Sequence, residues 1–154
     1  MSRGELRPYF AYGSNMDVGQ MRRRCPGARI VGVARLSAHR FIINRRGVAS
    51  VIPHPRHDVY GLLWCITPAN EAVLDDYEGV EEGWYAKTEV RLDTSSSRTT
   101  AALIYIACDH TAGVSWFGYI ANIVDAAVQL GFPGAYRNEL HAWLAAAKPG
   151  SPSF

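Results

Sequence analysis

Two short segments of this 154-residue chain carry residue types whose spacing suits chemistry. The first is Tyr12, Gly13, Ser14 and Asn15, at the end of the apolar run that begins at Tyr9. A strand that enters a helix through one glycine and two small polar residues leaves backbone N–H groups unpaired at a helix N-terminus. Such a turn can cradle an anion or a developing oxyanion. The same residues also read as an ordinary strand-to-helix turn. Ser14 would then be the cap, with Asp17 three residues on in an imperfect capping box. No lysine stands beside the turn, which excludes a P-loop, and the glycines of a G-x-S-x-G nucleophile elbow are missing.

The second segment is Asp75, Asp76, Tyr77, Glu78 and Gly79, followed by Glu81 and Glu82. Three acids in the last turn of a helix oppose its macrodipole, which favours cations at that end. The dipole and the neighbouring acids both disfavour a further negative charge, so an inward carboxyl acquires a raised pKa. A carboxyl tuned in this way can accept and return a proton near neutrality. Glu78, between Tyr77 and a glycine that permits a tight turn, is the candidate, with Asp75 and Asp76 expected to face solvent. An acidic surface loop is the competing reading.

Other chemistries find less support. Cys25, Cys65 and Cys108 have no C-x-x-C spacing, and their odd number argues against a disulfide framework. Cys65 and Cys108 lie in apolar runs and are expected to be buried. Cys25 follows three arginines that could lower its pKa, but no base accompanies it. The five histidines form no tight ligand set, so no metal and no cofactor are expected. The formal net charge of +2 averages an Arg-rich first third and an acidic stretch from Glu71 to Asp93. That is too weak a positive balance for a nucleic-acid footprint. A hydrophobic content of 48% excludes disorder as the main state, yet no apolar run is long enough to span a membrane. With no secretory h-region, a cytoplasmic location is expected. The remaining enzyme class uses a carboxylate and a backbone-lined pocket on a substrate that carries its own nucleophile. A non-enzymatic binding domain is the alternative.

The elements that must position these segments follow from the pattern. Short β-rich runs are expected at 9–12, 30–36, 39–43 and 48–52, with a longer buried strand at 59–66. Thr67 and Pro68 open a helix that Gly79 closes. Trp84, Ala86, Thr88, Val90 and Leu92 alternate with Tyr85, Lys87, Glu89 and Arg91, which predicts a strand with the first set inward. A hairpin loop at 94–100 leads to a strand at 101–107. Two helices follow, on Ile120, Ile123, Val124, Ala127 and Val128, and on Tyr136, Leu140, Trp143, Leu144 and Ala147. One domain over 1–148 with a loose tail at 149–154 is expected. The fold class is α+β, with a bent or barrel-like mixed sheet and surrounding helices.

The two chemical segments also carry a family likeness. YFAYGSNM at 9–16 resembles the opening signature of the gamma-glutamylcyclotransferase-like (AIG2-like) family. LDDYEGV at 74–80, with Gly83, Trp84 and Tyr85, resembles its second block, and 119–144 is similar to its C-terminal region. Met16 stands where leucine is common. The resemblance implies a small mixed β-barrel core. It implies Glu78 as general acid/base, the 12–15 loop as substrate-binding, and Tyr85 as a positioning residue. The implied reaction converts a gamma-glutamyl amine or amino acid to 5-oxoproline and the free amine, without cofactor or metal. A bacterial biosynthetic enzyme that removes a gamma-glutamyl protecting group is the alternative within the family. The leaving-group side is expected at 45–60 and 109–118. There Asp109, His110, Trp116, Phe117 and Tyr119 would form an aromatic-edged mouth, unless Trp116 and Phe117 simply pack at a helix start. A small-molecule substrate is the expected partner, with no nucleic acid or membrane, and the chain as monomer or weak homodimer.

Overall fold

The structure is a computed structural model and describes residues 5–150. Five strands form a closed barrel: β1 (Arg7–Ala11), β2 (Arg29–Ile43), β3 (Ala49–Ile66), β4 (Tyr85–Thr94) and β5 (Thr99–Ala107). Their order around it is β1-β3-β2-β4-β5, and the parallel contact of Tyr9 with Leu103 closes it. The other pairings are antiparallel, so the sheet is mixed, as expected. Four helices surround it: α1 (Val18–Arg24), α2 (Pro68–Glu78), α3 (Phe117–Gln129) and α4 (Gly134–Ala145). Phe10, Phe41, Trp64, Leu103 and Ile104 are fully buried on the two faces of the sheet. Ile120, Ile123 and Leu140 from the last two helices extend that core.

The short runs expected between 30 and 66 are two long bent strands. Their apparent breaks are absorbed as register irregularities, one between Ile30 and Gly32 and one between Ser37 and His39. At the second, residues 54–57 bulge opposite Ala38, whose φ is +57°. Bulges of this kind bend a strand and increase its twist, which is how a few long strands close a small barrel. Pro55 is accommodated within this irregularity, and Pro53 at its edge, in the ladder pair with His39 that borders it.

Three local expectations are corrected. Ser14 does not cap a helix by its side chain. A single 3₁₀ turn over Ser14–Met16 intervenes, and Asp17 caps α1 by accepting from the Gln20 N–H at 3.1 Å. On β4 the buried side chains are Tyr85 and Leu92, while Trp84, Ala86 and Thr88 are exposed. Tyr85 turns inward because its phenol reaches the Ala49 carbonyl at 2.6 Å. Gly150, in the expected tail, is held rather than loose, since its carbonyl accepts from the Gly118 N–H at 2.8 Å, next to the Lys148 carbonyl that accepts from the Phe117 N–H at 2.7 Å. Residues 151–154 of the expected tail lie outside the described residues.

Helix α2 is defined at both ends by its sequence. Thr67 accepts from the Asn70 N–H, and the Asn70 side chain accepts from the Thr67 N–H, both at 3.1 Å. At the far end Gly79 takes the left-handed conformation, with φ 65° and ψ 43°. A Cβ there would lie 2.4 Å from the Trp84 ring, so glycine is required sterically as well. Close approach also governs Gly61 on β3, where a Cβ would meet the Ala11 carbonyl at 2.4 Å and the Phe10 ring at 2.6 Å. That contact seats β1 and hence the turn that follows it. Gly61→Ala is expected to destabilise the fold by about 1–3 kcal/mol through overpacking, read as a lower denaturation midpoint in urea.

Candidate functional site

The end of β1 and the end of α2 meet at one mouth of the barrel. A cavity of about 570 Å³ opens there, lined from both sides. The six residues expected to carry catalysis and substrate binding all line it: Tyr12, Gly13, Ser14, Asn15, Glu78 and Tyr85. On the β1 side the first amide to bond back along the turn is that of Met16, to Gly13 O at 3.1 Å. The amides of Ser14 and Asn15 therefore stand outside the turn's own ladder. Asn15 is buried and fastened on three sides. Its Nδ2 donates to Tyr9 Oη at 3.0 Å, its Oδ1 accepts from Arg24 at 2.7 Å, and its carbonyl accepts from the Trp64 indole at 3.2 Å.

Glu78 is the last residue of α2. Its carboxyl has no hydrogen-bond partner among the described residues. Burial pushes its pKa from 4.5 up to about 7, against a smaller opposing pull from Arg24. The direction matches the sequence reading but the main cause differs, because the neighbouring acids do not act on it. Asp75 turns away and is bound by Tyr105 Oη at 2.7 Å and Lys87 Nζ at 3.0 Å, so it does not simply face solvent as expected. Asp76, Glu81 and Glu82 are exposed, where water screens them.

Four phenols surround the carboxyl. Burial raises the pKa of Tyr9, Tyr12, Tyr85 and Tyr119, and the Glu78 charge raises each further. Tyr119 reaches about 12, so all four remain protonated at neutral pH. Two of these protons are spent inside the protein. Tyr12 donates to the Tyr105 carbonyl and Tyr85 to the Ala49 carbonyl, both at 2.6 Å. Tyr9 and Tyr119 instead accept, from Asn15 at 3.0 Å and from the Ala49 N–H at 3.1 Å. Their own protons have no acceptor among the described residues and are available to a ligand. Gly13 presents its bare Cα toward Ala49 and Tyr119, since a Cβ there would be 3.4 Å from Ala49 Cβ and 3.8 Å from Tyr119 Oη.

Sequence reading missed several lining residues. Arg24, one of three consecutive arginines, is the one that turns inward, its guanidinium 3.7 Å above the Tyr77 ring. Tyr9 and Tyr105 are separated by 96 positions and meet edge to face with centroids 5.8 Å apart. Of the expected mouth at 109–118, none lines the cavity; only the adjoining Tyr119 does. Asp109 is drawn away by Arg45 at 2.9 Å, and Trp116 caps α3 with Lys148 over its ring. From 45–60, Arg46, Val48 and Ala49 contribute. Cys25 is buried, and burial raises its thiol pKa despite Arg24, which removes the activated thiol considered above. Cys108 is exposed rather than buried. No group of His, Cys, Asp and Glu suited to a metal occurs among the described residues.

The sequence profile of the AIG2-like family matches residues 58–140, more than half of the chain. The chain belongs to the AIG2-like family. The matched stretch holds Glu78, Tyr85 and Tyr119, and lies beyond the 12–15 turn. Among individual relatives, gamma-glutamylcyclotransferase of Mus musculus is 28% identical over 149 residues, 90% of this chain and 79% of the relative. The Homo sapiens protein of the same name is 28% identical over 144 residues, 87% of this chain and 77% of the relative. A solved structure of a gamma-glutamyl cyclotransferase superposes with a TM-score of 0.84 at 26% identity, covering 97% and 92% of the two chains. This AIG2-like chain thus shares the barrel with enzymes of that name over nearly its whole length. No helix of the described residues is long and apolar enough to cross a membrane.

The raised Glu78 pKa makes a prediction about stability. The folded state holds this proton more tightly than the unfolded chain, so the carboxyl costs nothing below about pH 4.5. As the pH rises toward about 7 the unfolded chain sheds the proton first, and the folded state loses stability. Glu78→Gln removes that cost. The variant is expected to gain about 1–3 kcal/mol over the parent at pH 8 and to match it near pH 4, measured by urea denaturation at both pH values.

Proposed function

We propose that this chain is a cyclotransferase acting on gamma-glutamyl amines or gamma-glutamyl amino acids. It releases 5-oxoproline and the free amine, with Glu78 as general acid/base. The chain is an enzyme of the gamma-glutamylcyclotransferase type by its relatives and fold neighbours. The observation that carries the assignment is the half-buried Glu78 carboxyl, without a hydrogen-bond partner among the described residues, titrating near neutrality opposite the 12–15 turn in one cavity.

The reaction asks little beyond what the cavity contains. The α-nitrogen attacks the substrate's own γ-carbonyl carbon. A carbon–nitrogen bond forms there, and the bond to the leaving nitrogen breaks. The α-ammonium gives up two protons over the whole course and the departing amine takes up two, so no co-reactant is consumed. The nucleophile is tethered, and the walls of the cavity need only hold a near-attack pose. Glu78 takes a proton from the α-ammonium and returns one to the leaving nitrogen, a role that calls for a pKa near the working pH. The amides of Ser14 and Asn15 and the spare protons of Tyr9 and Tyr119 supply donors for the oxyanion and the α-carboxylate. Tyr85 fixes the wall of the cavity through Ala49. Arg24 ties the loop to α2 and keeps the Glu78 anion accessible.

Glu78→Gln keeps the shape and removes the proton transfer. Release of 5-oxoproline from a panel of gamma-glutamyl amino acids and amines is expected to fall at least about 10²-fold. Tyr85→Phe is expected to lose less. An unchanged rate in Glu78→Gln, with the fold intact by circular dichroism, would remove Glu78 from the mechanism. The base form of Glu78 is populated above its pKa, so kcat/KM is expected to rise as the pH increases through about 7. That limb should vanish in the residual activity of Glu78→Gln.

A further inference from the structure

The geometry points to Arg46 as the residue that selects the leaving group, by binding a free carboxylate on the departing amine. This assignment rests on the cyclotransferase reading and refines its substrate class to gamma-glutamyl amino acids over simple gamma-glutamyl amines.

Arg45 and Arg46 are adjacent in the turn between β2 and β3, yet their side chains are treated differently. Asn44 Oδ1 accepts from the Arg46 N–H at 3.0 Å and the Val48 N–H at 3.3 Å, which fixes the backbone of the turn. Arg45 is spent on Asp109, with Nη2 2.9 Å from the carboxylate. Arg46 has no carboxylate partner and no side-chain hydrogen bond among the described residues. Its guanidinium lies instead 3.7 Å above the Trp84 ring, at the rim of the cavity. Trp84 is itself packed against Gly79, the residue after Glu78. The cation is therefore anchored on a ring that abuts the proposed base.

Stacking uses the face of a guanidinium and leaves its edge, with its fork of N–H donors, for a planar anion. Arg24, the other arginine of the cavity, is stacked on Tyr77 but has spent an edge on Asn15 at 2.7 Å. Arg46 is the one with its donors uncommitted. Two acids, Asp76 and Glu82, also reach the rim, and they favour a cation there. Both are exposed and make no fixed contact. The charge of Arg46 is felt at Tyr85, deep in the cavity. A cation fixed at the rim suits a leaving amino acid, whose carboxylate meets the free edge of the guanidinium.

The test compares gamma-glutamyl-alanine with gamma-glutamyl-ethylamine, which differ only in the leaving-group carboxylate. Wild-type kcat/KM is expected to favour the alanine compound about tenfold or more, the scale of one charge-assisted hydrogen bond. In Arg46→Ala the ratio should fall to within about twofold, and Arg46→Lys should lie between. A general structural defect would depress both substrates and leave the ratio alone. Calorimetric titration of Glu78→Gln with the same two compounds, with and without Arg46→Ala, reads the ratio without turnover. If no 5-oxoproline forms but the binding ratio is present and depends on Arg46, the cyclotransferase reading fails and the carboxylate site stands. The assignment is overturned by a wild-type ratio near one, by a ratio that survives Arg46→Ala, or by failure of gamma-glutamyl-alanine to bind. It is equally overturned by a preference for gamma-glutamyl-putrescine, whose distal ammonium would favour Asp76 and Glu82.

Discussion

One carboxyl group, held in a cavity with no hydrogen-bond partner among the described residues, organises the rest of this molecule. Removing a carboxylate from water is costly unless hydrogen bonds or a cation replace the solvent. Here neither does so fully, and the proton stays bound to about pH 7. The barrel and α2 must supply the rigidity that keeps Glu78 inward against that cost. Its anchors are visible one turn back along the helix. Tyr105 and Lys87 hold Asp75, Lys87 also pairs with Glu71, and Glu71 pairs with Arg7 at 2.9 Å. This chain of charges ties the barrel-facing side of α2 to β1, β4 and β5. Glu78, three residues beyond Asp75 on that same half-buried face, has no such partner among the described residues.

The same economy explains why the cavity is lined with tyrosine. A phenol fills space like an aromatic hydrocarbon and still ends in a donor that burial keeps protonated. Tyr12 and Tyr85 use that donor to lock backbone carbonyls on β5 and β3, and so brace the wall. Tyr9 and Tyr119 keep theirs for the cavity. Ala49 stands at the junction, donating to one phenol and accepting from another. A small side chain there leaves the space that Gly13 also leaves from the opposite side. Rigid walls and a few uncommitted donors suit a reaction that needs positioning more than new chemical groups.

Much of the scaffold was legible from local pattern. The buried run at 59–66, the Thr67 and Pro68 start of α2, its Gly79 stop and the two C-terminal helices depend on near neighbours, and they lie where periodicity and capping put them. The strand run around residues 30–66 was less legible. Bulges at 30–32 and 37–39 interrupt the alternation without interrupting the strands. The inward face of β4 misled for a related reason. Tyr85 is aromatic and polar, and its direction is settled by a carbonyl 36 residues away rather than by the alternation of its own strand.

The sequence by itself marked two segments as candidates for chemistry. It placed a glycine turn after one strand and a carboxyl at the wrong end of a helix, because these are statements about adjacent residues and the backbone between them. Tertiary structure decided that the two face each other across one cavity. It decided that burial, not the neighbouring acids, raises the Glu78 pKa. It chose Arg24 from three arginines and Arg46 from two, since which way a long side chain turns depends on the ring or carboxylate waiting beyond its own segment. Tyr77 and Trp84 claim the arginines that line the cavity, and Asp109 claims the one that does not.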